Sequence, residues 1–220
     1  MSQAIPQPTQ LVNEDFPTEI LLIRHGRSAD VVPGSPESAD PPLADVGVEQ
    51  AKALARRLAP KRLDAIFASD LQRAMATAGA IAEGRDIEVQ INPDLREVFL
   101  GEWENGEYRR RAAVRDPQWV AHARAGRWDL VPGGEGDDAL RTRVRGAVAA
   151  CVAGREGGTV AIVCHGGVIN AYLASIWGVE RSFLVPTENT GVTIVRLGDN
   201  RQTVIIANDC AHLYDPVFGP

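Results

Sequence analysis

Ile20-Leu21-Leu22-Ile23-Arg24-His25-Gly26 decides how this chain folds. Four consecutive apolar residues, two of them β-branched, suit a strand buried on both faces rather than one with a wet side. The run stops abruptly in an arginine, a histidine and a glycine, so a polar tripeptide stands at the strand's carboxyl end. The same design returns at Val160 to Val163, which ends, after Cys164, in His165-Gly166-Gly167 ahead of a helical pattern. Open α/β sheets bind ligands beyond the carboxyl ends of their strands, so both histidines are expected to face one crevice. A glycine after each histidine lets the backbone come close to a ligand. The helix beginning near Gly166 or Gly167 offers amide donors and a positive dipole end to an anion such as phosphate.

Outward from these two strands the periods alternate. Val48, Ala51, Leu54, Ala55 and Leu58 recur at helical spacing across residues 47–58, and Asp64 to Ala68 then supplies a second strand. Ser69 or Asp70 is placed to cap the next helix, which runs to about Ala82, and Ile87 to Ile91 is a third strand candidate. Helix is expected again from about Asp138 to Val152 and from Val168 to Trp177, with strands at Thr159 to Val163, Val192 to Leu197 and Thr203 to Ala207. Strands alternating with helices imply an α/β fold: three layers, α/β/α, around a largely parallel central sheet. Between Leu100 and Gly134 neither period persists, and aromatic and arginine residues mix with Gly126, Pro132 and a glycine pair. That stretch reads as a small inserted cap region. The expected organisation is a flexible N-terminal arm over residues 1–18 and a single domain over 19–220, with the cap inserted at about 100–134.

The 220 residues carry a net charge of -6, with 45% hydrophobic and 24% charged side chains, which excludes a disordered or fibrous chain. Twenty-three basic against 29 acidic residues leave no global positive field, so nucleic acid is not an expected partner. Cys151, Cys164 and Cys210 lie far apart without a Cys-x-x-Cys spacing and read as free thiols of a reducing compartment. The polar, proline-containing stretch Met1 to Phe16 has no basic and apolar leader pattern, and no segment holds ~18 consecutive apolar residues. A cytoplasmic protein without membrane contact is expected. His122 and His212 stand in unrelated contexts without zinc-type spacing, so no metal site is assigned. Glu135, Asp137 and Asp138 follow glycines ahead of a helix and read as helix caps rather than a cation site. Arg109, Arg110, Arg111 and Arg115 either attract an anionic substrate or form a solvated helical face, and the second reading is preferred.

Eight ordered motifs between about residues 19 and 213 resemble the histidine phosphatase superfamily, the phosphoglycerate mutase-like family. They begin with Leu22-Ile23-Arg24-His25-Gly26-Arg27-Ser28 and Pro42-Leu43 through Gly47 to Gln50-Ala51, followed by Ser69-Asp70-Leu71-Gln72-Arg73-Ala74 with Thr77-Ala78. Leu95-Arg96-Glu97 and Gly101-Glu102-Trp103-Glu104 come next, then Pro132-Gly133-Gly134-Glu135, Val163-Cys164-His165-Gly166-Gly167 and Asn208-Asp209-Cys210-Ala211-His212-Leu213. The resemblance implies that His25 takes up a phosphoryl group, that Arg24, Arg73 and His165 bind its oxygens, and that Glu97 is the acid. It also implies a pocket hydroxyl from Ser28, for which helix capping is the rival role, and an amide from Gly166. These residue types fit the chemistry. A neutral imidazole is a usable nucleophile at neutral pH when its second ring nitrogen is held by an acceptor, and a dianionic monoester needs cationic donors before a nucleophile can approach. Cys164 reads as a buried strand-end thiol, not a rival nucleophile.

Two positions depart from the family pattern. Arg27 stands where glutamate or glutamine is common, adding positive charge at the pocket's edge, and Val31 stands where many members carry a phosphate-binding asparagine. Trp103-Glu104-Asn105-Gly106-Glu107-Tyr108-Arg109 lacks the tyrosine-glycine segment of the cofactor-dependent mutases. The resemblance therefore implies a histidine acid phosphatase-type phosphoric monoester hydrolase, acting on a small phosphorylated metabolite without cofactor or metal. Mutase-type transfer and a non-catalytic phospho-ligand binding module are the alternatives. An esterase using His165-Gly166-Gly167 as an oxyanion loop would need a Gly-x-Ser-x-Gly elbow, which the sequence lacks.

Overall fold

A computed structural model describes residues 18–198 and 201–214. Apart from Thr18, the arm expected over residues 1–18 lies outside them. Six strands form one sheet: β1 (Thr18–Arg24), β2 (Ala65–Ala68), β3 (Val89–Ile91), β4 (Thr159–Cys164), β5 (Val192–Leu197) and β6 (Gln202–Asp209), in spatial order β3-β2-β4-β1-β5-β6. β3, β2, β4 and β1 pair in parallel, while β5 runs antiparallel to both β1 and β6. The antiparallel partners follow from a chain that turns straight from β5 into β6 instead of crossing over through a helix.

The apolar run of β1 works as its pattern implies. Ile20 and Leu22 face the helices α5 (Asp137–Val152) and α6 (Gly166–Trp177), while Leu21 and Ile23 face α1 (Asp45–Leu58) and α2 (Gln72–Ala82), and all four are fully buried. Two apolar cores thus flank the sheet and make the three layers. Because β4 lies between β1 and β2, with Arg24 in register with Cys164, the residues that follow both strands emerge side by side at one edge.

Local expectations shift at element ends. α1 begins at Asp45 and α6 at Gly166, earlier than the apolar spacing alone indicates, whereas β3 is shorter than the 87–91 run. Neither Ser69 nor Asp70 caps α2; the Gln72 amide donates instead to the Asp40 carboxylate, 3.1 Å away and 32 residues earlier. Asp137 does not cap α5 either. It is 1% exposed and accepts from the Trp128 and Asp129 amides and the Ser182 hydroxyl, while Asp129 accepts from the Asp137 amide. Glu135 holds Arg143 through two bonds of 2.7 Å.

Residues 100–134, aperiodic in sequence, contain two short helices, α3 (Glu107–Ala113) and α4 (Pro117–Ala125). Their period is hidden because the packing is aromatic on several sides at once: Trp103, Tyr108, Trp128 and Phe183 all stack on buried His122. No helix among the described residues is long and apolar enough to cross a membrane.

Candidate active site

At the carboxyl edge of β1 and β4 the two histidines stand with ring centroids 5.0 Å apart. The His25 amide donates to Cys164 O at 3.0 Å, which ties the two strand ends together at the point where the histidines begin. His25 is 5% exposed and His165 fully buried.

Their partners assign the protons. Arg73 Nε–H donates to His25 Nε2 at 3.2 Å, so that nitrogen carries the lone pair, and His25 Nδ1–H donates to its neighbour's carbonyl, Gly26 O, at 2.6 Å. Arg73 Nη2 likewise donates to His165 Nδ1 at 3.4 Å, leaving His165 Nε2–H to donate to Ser69 Oγ at 3.0 Å. Both imidazoles are therefore neutral. Burial, first, and the Arg73 and Arg24 charges around them push both well below the ordinary histidine value, with His25 also disfavouring charge on His165.

Arg73 is 8% exposed, reaches out from the first turn of α2 and has Asp40 Oδ1 at 3.4 Å. Thr77, one turn on, donates to Arg73 O at 2.7 Å and accepts from the Gly26 amide at 3.0 Å, linking the helix to the loop that carries the His25 acceptor. Arg24 donates to Thr187 O, and its buried Nε has no partner among the described residues, an orphaned donor that an anion would satisfy. Glu97 follows the turn after β3 and accepts from the Val98 amide at 3.0 Å and the Gly167 amide at 3.3 Å. A Cβ on Gly167 would stand 2.4 Å from Glu97 Oε1, so glycine there makes room for the carboxylate. Gly166 opens α6, where a Cβ would come 2.7 Å from Thr187 Oγ1.

Arg24, His25, Arg73 and Glu97 share an open cleft of about 1050 Å³ with Ser28. Ser28 is not a helix cap: α1 starts after Ala44, and the Ser28 hydroxyl accepts from Arg109 at 2.9 Å. Within the basic run the members part ways. Arg110 pairs with Glu107, and Arg111 with Glu107 and Asp116, but Arg109 turns into the cleft instead of forming a solvated face. Arg27 does not charge the pocket's edge; its side chain is 58% exposed and nearest to Asp30, outside the cleft lining. Cys164 is fully buried and its thiol is pushed up, chiefly by desolvation, which suits an inert side chain.

Three features of the site had no signal strong enough to find in the sequence: the Gly26 carbonyl under His25, the Ser69 hydroxyl under His165 and the Arg109 contact with Ser28. Part of the cleft wall is aromatic. Trp103, Tyr108 and Trp128 line it, and the indole N–H groups of Trp103 and Trp128 are buried without partners among the described residues.

The profile of the histidine phosphatase superfamily (branch 1) matches residues 20–210. The adenosylcobalamin/alpha-ribazole phosphatase of Salmonella typhimurium is 31% identical over 156 residues, covering 70% of this chain and 77% of that protein. Phosphoglycerate mutase-like protein 4 of Arabidopsis thaliana is also 31% identical, over 209 residues, covering 91% of this chain and 89% of its own. Among solved structures, Bacillus stearothermophilus YhfR superposes with a TM-score of 0.78 at 29% identity, covering 89% of this chain and 99% of that one.

Proposed function

The chain belongs to the histidine phosphatase superfamily, and from that premise we propose that it is a metal-independent phosphomonoesterase working through a phosphohistidine on His25. The observation that carries this reading is the hydrogen bond from His25 Nδ1–H to Gly26 O, which puts the lone pair on Nε2, where it accepts from the phosphate-binding candidate Arg73. A histidine held in that tautomer needs no separate base.

In this mechanism the phosphoryl oxygens displace the Arg73 contact to His25 and take donors from Arg73, Arg24 and the α6 amide of Gly166, with Ser28 beside them. Nε2 then attacks phosphorus in line with the ester oxygen. The arriving dianion favours uptake of a proton from solvent at His165 Nδ1, which faces Arg73, so His165 becomes a donor when substrate is present. Glu97 gives a proton to the leaving oxygen. As a carboxylate it then accepts one from the water that attacks the phosphohistidine, releasing inorganic phosphate and restoring His25.

The cleft is far larger than a phosphoryl group needs, so the organic part of the substrate lies along the aromatic wall, and residues 100–134 act as the cap that selects it. The substrate is a small phosphorylated metabolite. Incubation with an aryl phosphate in excess chelator is expected to release phosphate with wild type and none with His25→Ala. Activity that needs an added metal ion and survives the substitution would refute the proposal.

A further inference from the structure

Five guanidiniums reach the cleft, and three of them have carboxylates. Arg96 donates to Asp70 at 2.6 Å, Arg143 holds Glu135 at 2.7 Å, and Arg73 has Asp40 at 3.4 Å. Arg24 and Arg109 have no carboxylate within 4 Å among the described residues, although Asp30 favours the Arg109 charge from further off. Arg24 comes from β1, at the nucleophile itself. Arg109 comes from α3.

Arg109 is held where it lies by two bonds to neutral oxygens. Nη2 donates to Ser28 Oγ at 2.9 Å and Nη1 to Ala29 O at 3.2 Å, three and four residues after His25. Only two of the five guanidinium N–H groups are used in this way. The approach is built into the backbone. α3 follows Gly106, whose φ of +86° suits glycine, and a Cβ there would stand 3.1 Å from Pro33 Cα and 3.3 Å from Val31 Cγ2. The Gly34 amide donates to Asn105 O at 2.9 Å, so the loop after β1 and the start of α3 are in direct contact one turn before Arg109.

Position says what the guanidinium is for. Arg109 lines the same cleft as Arg24, His25 and Arg73 and adds a positive charge beside the loop that follows the nucleophile. Arg24 and Arg109 also both disfavour a proton on His25, which places their charges near the same imidazole.

We infer that Arg109 is a phosphoryl-binding residue, a third guanidinium that the 100–134 segment lays against the transferring group, and that it does not read the leaving group. This rests on the phosphatase reading of the cleft, but the binding it requires can be measured without turnover. Arg109→Gln and Ser28→Ala are compared with wild type for affinity to inorganic phosphate by calorimetry, and for kcat/KM with an aryl phosphate, a neutral alkyl phosphate and a carboxylate-bearing alkyl phosphate. Arg109→Gln is expected to weaken phosphate binding at least tenfold and to lower kcat/KM by about 10²-fold for all three esters alike, the usual cost of one donor to a developing charge. Ser28→Ala is expected to do less on both counts. Unchanged phosphate affinity, with the loss confined to the carboxylate-bearing ester, would overturn the inference, and so would a Ser28→Ala variant as impaired as Arg109→Gln. If wild type turns over none of the esters, the phosphatase reading fails while the phosphate titration still decides the role of Arg109.

Discussion

The sheet edge and the segment over it are built on opposite plans. At the ends of β1 and β4 the polar groups are fixed by short bonds to backbone or to buried hydroxyls: His25 to Gly26 O, His165 to Ser69, and Thr77 between Arg73 and Gly26. In residues 100–134 much of the packing is aromatic, around His122, and the indole N–H groups of Trp103 and Trp128 have no partner among the described residues. A reaction that requires in-line attack needs the first kind of construction, whereas accommodation of a leaving group tolerates the second. Under the proposed function the chemistry belongs to the sheet and selectivity to the segment, and Arg109 reaches from the segment to Ser28 and Ala29, just after the nucleophile.

That division is broken most easily at Glu97. If it protonates the leaving oxygen, Glu97→Gln is expected to slow single-turnover phosphorylation by an alkyl phosphate by about 10²- to 10⁴-fold, and by an activated aryl phosphate much less. Equal losses for both leaving groups would assign Glu97 to positioning, through its bond to the Gly167 amide. A leaving-group-dependent loss at Glu104 instead would move the acid to the cap side and erase the division.

A smaller effect compares the two regions through their histidines. His25, His165, His122 and His212 are all buried, and burial lowers each below the ordinary value, to about 4 for His212. The unfolded chain therefore binds more protons than the folded one below pH ~6.5, so the stability these histidines contribute is complete above that pH and is lost as pH falls toward their folded values. Each contributes a slope of up to ~1.4 kcal/mol per pH unit. Urea unfolding at pH 7 and pH 5 is expected to show a falling midpoint, and His122→Gln is expected to remove one histidine's share of the slope. A midpoint that does not change between the two would show that the histidines take up protons while folded.

What the sequence revealed follows the same line. The apolar runs 20–23 and 160–163 identify buried parallel strands, and each is followed by its histidine, so the positions of His25 and His165 are legible directly, while the role of Arg24 comes through the resemblance. Arg73, Glu97 and Ser28 came through the resemblance, because a helical arginine or a loop glutamate has no periodic signature of its own. The rest was hidden by distance or by chemistry. Asp40 caps α2 from 32 residues away, the acceptor under His25 is a backbone carbonyl common to every residue, and Arg109 sits among arginines that pair with Glu107 and Asp116. The helices of residues 100–134 were missed because a cluster packed around a buried histidine from several directions leaves no single apolar stripe.

The central claim is that His25 Nε2 becomes bonded to phosphorus. Wild-type enzyme mixed with a radiolabelled phosphate ester and quenched within a single turnover is expected to carry a label that is labile in acid and stable in base, that maps to the peptide containing His25 and that is absent from His25→Ala. A label on Ser28, on Cys164 or on a carboxylate, or rapid turnover with no labelled enzyme at any quench time, would contradict it.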